Sequence, residues 1–168
     1  MLLFRCTKKL LHELRVEPDE RFESDEGGFL GSWFAHLLRI ERRKCVLFTN
    51  SGTLYSFLVV GLRRPEFQNF RDTFVRHLLT NLSREGLDVI VARRLAADSE
   101  PVAYAKTNNR SVLGSMNELA FLATAYIEDG GGLESCDLLS MNYRLNRTPM
   151  SALQYRYPIE ALKAEIYL

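Results

Sequence analysis

The sequence is poor in cysteine, has a single tryptophan, and carries almost no excess of charge of either sign. Its three cysteines among 168 residues, Cys6, Cys45 and Cys136, are odd in number and show no C-x-x-C spacing. That argues against a disulfide framework and against a zinc knuckle. Cys6 and Cys45 lie in apolar runs, where a free thiol acts as a small hydrophobe, and this usage points to a reducing compartment, the cytoplasm. Lys and Arg total 22 against 21 Asp and Glu, far from the basic balance of a nonspecific nucleic-acid binder. With 46% hydrophobic residues, the near-neutral charge also excludes a disordered chain. No apolar run approaches the roughly 18–20 residues that cross a bilayer, so no membrane is expected. The opening Met1-Leu2-Leu3-Phe4 is broken by Arg5, Lys8 and Lys9, unlike a signal peptide. Phosphate-loop, dinucleotide, metalloprotease and nucleophile-elbow signatures are missing too.

What charge there is lies unevenly. From Glu17 to Glu26 six of ten residues are acidic and only Arg21 is basic; outside that decade basic residues outnumber acidic ones by 21 to 15. With Pro18 inside it and Gly27-Gly28 at its end, the stretch reads as an exposed loop. It is either a solvated connector or a segment that screens a basic face from anions.

Periodicity predicts a strand over 1–6 and, after Thr7, a short helix carrying Leu10, Leu11 and Leu14 on one face. Three strands come next, over 33–41, 45–49 and 53–61. They are joined by the charged turn Glu41-Arg42-Arg43-Lys44 and by Asn50-Ser51-Gly52, where Asn and Gly tolerate positive φ. The last strand is apolar on both faces near its end, which predicts a central position with cover on both sides. Pro65 opens a helix whose Phe67, Phe70, Phe74, Leu78 and Leu82 form a stripe to lie on the sheet. A shorter helix is predicted near Leu87–Leu95, then a strand at Val102–Ala105. Another helix begins near Ser111 or at the S-x-x-E of Ser115–Glu118. Residues 138–147 fit strand or helix equally, and Pro158 opens a last helical turn or two. The expectation is one α+β domain over residues 1–168. A mainly antiparallel sheet with a central three-stranded meander (about 33–61) is packed by a long amphipathic helix (about 65–85) and a second helix (about 111–129).

Two polar strings stand out. Lys106-Thr107-Asn108-Asn109-Arg110-Ser111 sits at a predicted strand-to-helix junction, where unpaired N–H groups and flanking cations suit phosphate or carboxylate. Asparagine and serine at a helix start also serve simply as caps. If residues 142–147 are extended, Asn142, Arg144 and Asn146 share one face, and Arg144 and Arg147 supply a possible second wall, or else blunt an exposed edge strand. Arg42, Arg43 and Lys44, with Lys8 and Lys9, form a possible basic rim. His12, His36 and His77 are scattered over three elements, so no metal and no cofactor are expected.

Several stretches carry a resemblance. They are Arg5-Cys6-Thr7-Lys8-Lys9-Leu10, Arg43 to Asn50, Thr53 to Phe57, Lys106 to Asn117, and Arg144 to Met150. Together they resemble an uncharacterised family of small bacterial proteins described only as a domain of unknown function. The resemblance implies a bacterial, cytoplasmic, single-domain protein and brings no activity, ligand or catalytic residue. His36 departs from it, since asparagine is expected there after Ala35.

The leading expectation is a binding module whose cationic site takes an anionic small molecule or nucleic acid, built from Lys106, Asn108, Asn109, Arg110, Ser111, Arg144 and Arg147. The rival is a phosphoester hydrolase or nucleotide-processing enzyme with His36 or Glu118 as general base. A third reading is a protein-interaction domain with no small-molecule site.

Overall fold

A computed structural model describes residues 1–22, 28–98 and 100–167. The chain runs β1 (Leu2–Cys6), α1 (Lys8–Leu14), β2 (Trp33–Ile40), β3 (Arg43–Asn50), β4 (Ser56–Val60), α2 (Arg64–Gln68), α3 (Phe70–Arg84) and α4 (Asp88–Asp98). It continues through β5 (Val102–Lys106), α5 (Arg110–Asp129), α6 (Leu138–Leu145), a 3-10 turn (Ser151–Leu153) and α7 (Pro158–Ile166). The five strands form one sheet in the order β4-β3-β2-β1-β5. β2, β3 and β4 make the antiparallel meander, whereas β1 pairs in parallel with both β2 and β5. The sheet is therefore mixed. The parallel joins link strands separated by long crossovers, and local alternation carries no trace of such pairings.

Alternation along the strands splits the apolar residues between two layers. Leu2, Phe4, Trp33, Ala35, Phe48, Phe57 and Val59 meet α1, α2, α3 and α4, while Phe34, Leu47 and Leu58 meet α5 and α6. Phe74 of α3 is the hub of the first layer, its ring centroid 5.0 Å from those of Phe4, Trp33 and Phe48. The predicted aromatic stripe thus lies on the sheet, but on two helices. The chain breaks at Asn69 (φ −112°, ψ 48°), whose amide donates to Pro65 O, while Thr73 Oγ1 donates to Glu66 O.

Two turns depart from expectation. The β2–β3 hairpin closes on two residues, Glu41 and Arg42, both at positive φ, as a tight hairpin demands. After β3, neither Asn50 nor Gly52 adopts positive φ; Leu54 does. Asn50 acts through its side chain, which accepts from Gly52 N, Thr53 N and Thr53 Oγ1 and donates to Leu30 O. The helix α5, capped by Asn109, starts where the reading near Ser111 places it; the alternative start at the S-x-x-E does not form, and Ser115 and Glu118 fall inside the helix.

β4 is covered on both faces as predicted, yet it lies at the sheet edge. Residues 142–147 explain how. Residues 142–145 belong to α6, with Asn146 as its C-cap; the helix starts at Asp137, which caps Ser140 N, and buries Met141 and Leu145. Asn146 accepts from Ser56 N and donates to Ser56 O (2.8 and 2.7 Å), and Asn142 does the same for Leu58 (2.9 and 3.3 Å). Four helical residues rise about 6 Å and two strand residues about 6.6 Å, so side chains four apart match backbone groups two apart. The two amides stand in for a sixth strand. Removing one leaves a buried N–H and C=O unpaired, at about 1–3 kcal/mol each. Asn146→Ala is expected to lose about 2–4 kcal/mol in urea denaturation; an unchanged midpoint would mean that water satisfies this edge.

Candidate functional site

The sheet's topology leaves one end open. β1 and β5 are adjacent and parallel. The chain leaves β1 into α1 on the face of Phe4, and leaves β5 into α5 on the face of Phe34. Segments departing to opposite faces cannot close over the strand ends between them, and such points in α/β sheets form crevices. A hollow of about 890 Å3 lies there, lined by Cys6, Lys8, Leu11, His12, Arg15, Val16, Glu17, Pro18, Glu20, Lys106 and Thr107. A second, of about 300 Å3, adjoins it through Pro18, Glu20, Lys106 and Thr107 and adds Arg5, Asp19, Phe22 and Asn108.

The frame is fixed from below. Arg5 is buried, and its Nη1 donates to Lys106 O (3.1 Å), tying the ends of the two parallel strands together. The described part of the acidic stretch closes one side. Asp19 N–H donates to Tyr104 O (2.7 Å), which fastens the loop to β5. Arg21 forks onto the Asp19 carboxylate and its hydrogen bonds hold that carboxyl down at about 2. Residues 23–26 of the stretch lie outside the described residues. Burial pushes the Cys6 thiol far above its ordinary value, so its sulfur is no nucleophile.

The expected site residues separate into three groups. Lys106 and Asn108 line the crevice. Asn109, Arg110 and Ser111 stand next, at the mouth of α5. Asn109 Oδ1 accepts from Val112 N (3.1 Å) and is a cap, while Arg110 and Ser111 are exposed and line neither hollow. Arg144 and Arg147 are elsewhere. Arg147 forks onto Glu85 (both contacts 2.8 Å) and stacks on Tyr143, and Arg144 stacks on Tyr126. Tyr126 lies sixteen residues along α5 from Arg110, about 24 Å away. The second wall expected from these arginines therefore does not form, because a helical α6 turns them toward α3 and α5 rather than toward β5.

Neither expected base enters the crevice. Glu118 is exposed eight residues into α5, about 12 Å along the axis from Arg110. His36 is half-buried on β2 and lines neither hollow. Its Nδ1 and the neighbouring Thr7 Oγ1 are buried with no hydrogen-bond partner among the described residues. Among the described residues no group of three or more His, Cys, Asp or Glu is placed to hold a metal, and no helix is long and apolar enough to cross a membrane.

Sequence reasoning leaves Arg15 and Arg5 out of the site; Thr107 stands in its polar string without being named as a ligand-binding residue, and His12 is weighed only as a metal ligand. Arg5 carried a signal, a charge inside an apolar strand. Arg15 carried none, since its place depends on the left-handed C-cap of α1 (φ 58°).

A family model described as a domain of unknown function, DUF6933, matches residues 3–161. The chain belongs to that family. No curated protein and no solved structure matches it. The DUF6933 match runs from β1 into α7, so it takes in both parallel strands, the crevice between them and the asparagine-closed edge.

Burial pulls both His36 and His77 below the ordinary histidine value, helped by the charge of Lys9 at the first and Arg76 at the second. In this DUF6933 domain the unfolded chain therefore takes up protons at these rings before the native one does. Stability is expected to fall as pH drops below about 6.5. Urea denaturation at pH 7.5 and 5.5 measures this, and His36→Gln should flatten the dependence; an undiminished slope would place the loss at other groups.

Proposed function

We propose that this domain is a binding module for an anionic ligand, held in the crevice at the carboxyl ends of β1 and β5. The observation that carries the reading is the convergence of Lys8, Arg15 and Lys106 on one hollow from three separate points of the chain. All three are exposed, so their charges are available to an incoming anion rather than consumed by the core. Lysine supplies a compact point charge and arginine a planar fork, and both fit phosphate or carboxylate oxygens. The Thr107 hydroxyl adds a hydrogen-bond donor at the same wall.

Glu17 and Glu20 line the hollow with these cations. Their charge opposes an incoming anion and tempers the attraction of the cations, and salt weakens both effects. That favours the screening role for the acidic loop over the connector. The reading is one of binding rather than turnover, since His36 and Glu118 stand away from the hollow.

Calorimetric titration with inorganic phosphate, pyrophosphate and a nucleoside triphosphate at low salt tests it. The triphosphate should bind tightest, and Lys8→Ala with Lys106→Ala should weaken it at least tenfold, by about 1.4 kcal/mol or more. Glu17→Gln with Glu20→Gln should tighten it several-fold. Absence of binding by all three anions to folded protein would overturn the proposal.

A further inference from the structure

The crevice is one end of a longer basic track. β1, β2, β4 and β5 point the same way and β3 the opposite way, so the ends of four strands and the start of β3 share one end of the sheet. The crevice hollow shares His12 and Arg15 with a hollow of about 330 Å3 that adds Lys44, Arg63 and Arg64. That one shares Lys44, Leu62 and Arg63 with another of about 510 Å3 that adds Arg39, Arg42 and Arg43. Through these shared walls the hollows adjoin one another in a furrow that runs from β5 across to β4. Four strand spacings of about 4.8 Å make it roughly 19 Å long.

Few acidic side chains neutralise its far part. Glu13 is occupied by Lys44 and, through its carbonyl, by Arg64. The Glu41 carboxylate is turned to Leu133 N. Glu134 reaches Arg43 at 3.7 Å with both side chains well exposed, a pair of little weight in water. Arg39, Arg42 and Arg63 are exposed and make no ion pair among the described residues. Register also sets Arg39 directly across from Lys44; Glu13, paired with Lys44 and within electrostatic reach of Arg39, offsets that one repulsion, so the cations left for a partner are those of Arg39, Arg42 and Arg63.

We infer that this furrow binds a nucleic-acid backbone, with its phosphates running from Lys106 across Arg15 to Arg39, Arg42 and Arg63. Two features select that polyanion over an acidic protein. Arginine predominates in the far part, and its fork matches phosphate oxygens. The length also fits, since one strand of a duplex sets a phosphate about every 3.4 Å along the helix axis, so about 19 Å spans five or six of them; an extended single strand places fewer. The inference rests on the anion site at its Lys106 end and extends it.

Fluorescence anisotropy with labelled oligonucleotides of two, six and twelve nucleotides, as single-stranded RNA, single-stranded DNA and duplex, tests the track. Affinity should climb from two to six nucleotides and then level off. For single strands log Kd should vary with log salt at a slope of magnitude below about 3.5, the value for five phosphates, and more steeply for duplex. The three backbone arms then show which form the furrow takes. Arg39→Ala, Arg42→Ala and Arg63→Ala together should weaken the six-mer at least tenfold while leaving pyrophosphate within twofold; all three are exposed, and thermal melting checks that the fold persists. A six-mer no tighter than the dinucleotide, or unmoved by that variant, with pyrophosphate still bound at Lys106, overturns the track and leaves the anion site standing. No binding of either pyrophosphate or the six-mer overturns both. Polyglutamate binding as tightly as the six-mer overturns the assignment to nucleic acid.

Discussion

Parallel pairing on both edges of β1 is the constraint on which the rest of the architecture depends. A strand of five residues, Leu2–Cys6, has β2 on one side and β5 on the other, both running its way. Parallel neighbours cannot be joined by a tight turn, so each pairing requires a crossover, and the crossovers become the layers that cover the sheet. The route to β2 lays α1 on one face; the route from β4 to β5 lays α2, α3 and α4 on that same face. The chain beyond β5 covers the other face with α5 and α6, and α7 then brings Ile159, Leu162 and Ile166 back to the first layer. The double-sided core and the open end between β1 and β5 are two consequences of one pairing pattern.

The opposite margin needed a different solution. A five-residue edge strand that is apolar on both faces is a template for unwanted pairing unless its backbone is covered. Here α6 covers it with Asn142 and Asn146, whose amides present the donor and acceptor pair of a strand at nearly the strand repeat. The same helix holds Arg144 against Tyr126, and just past its C-cap Arg147 meets Glu85, whose side chain is 2% exposed. A string rich in arginine and asparagine, which suggests a ligand site, is for the most part internal scaffolding.

Charge is arranged by the same geometry. A near-neutral total conceals a basic end of the sheet, assembled from the carboxyl end of β2, the start of β3, the loop after β4, the start and end of α1, and Lys106 of β5. Part of the acidic loop is pinned beside it through Asp19. Neutrality overall and a local cationic furrow are compatible because the Debye length, about 8–10 Å at ordinary salt, is shorter than the furrow.

Elements governed by neighbours in sequence were legible in advance. The meander, the aromatic stripe, the glycine-terminated α5 and the lysine at the strand-to-helix junction all rest on spacing of two or 3.6 residues, which a linear string displays. The helical state of α6, the parallel pairings of β1, the edge position of β4 and the gathering of Arg15, Arg39 and Arg63 with Lys106 were decided by tertiary structure alone. Their causes are hydrogen bonds and charges brought together from distant parts of the chain. Asn146 looks like a solvent-facing polar residue until Ser56, ninety positions away, arrives with an unpaired N–H and C=O.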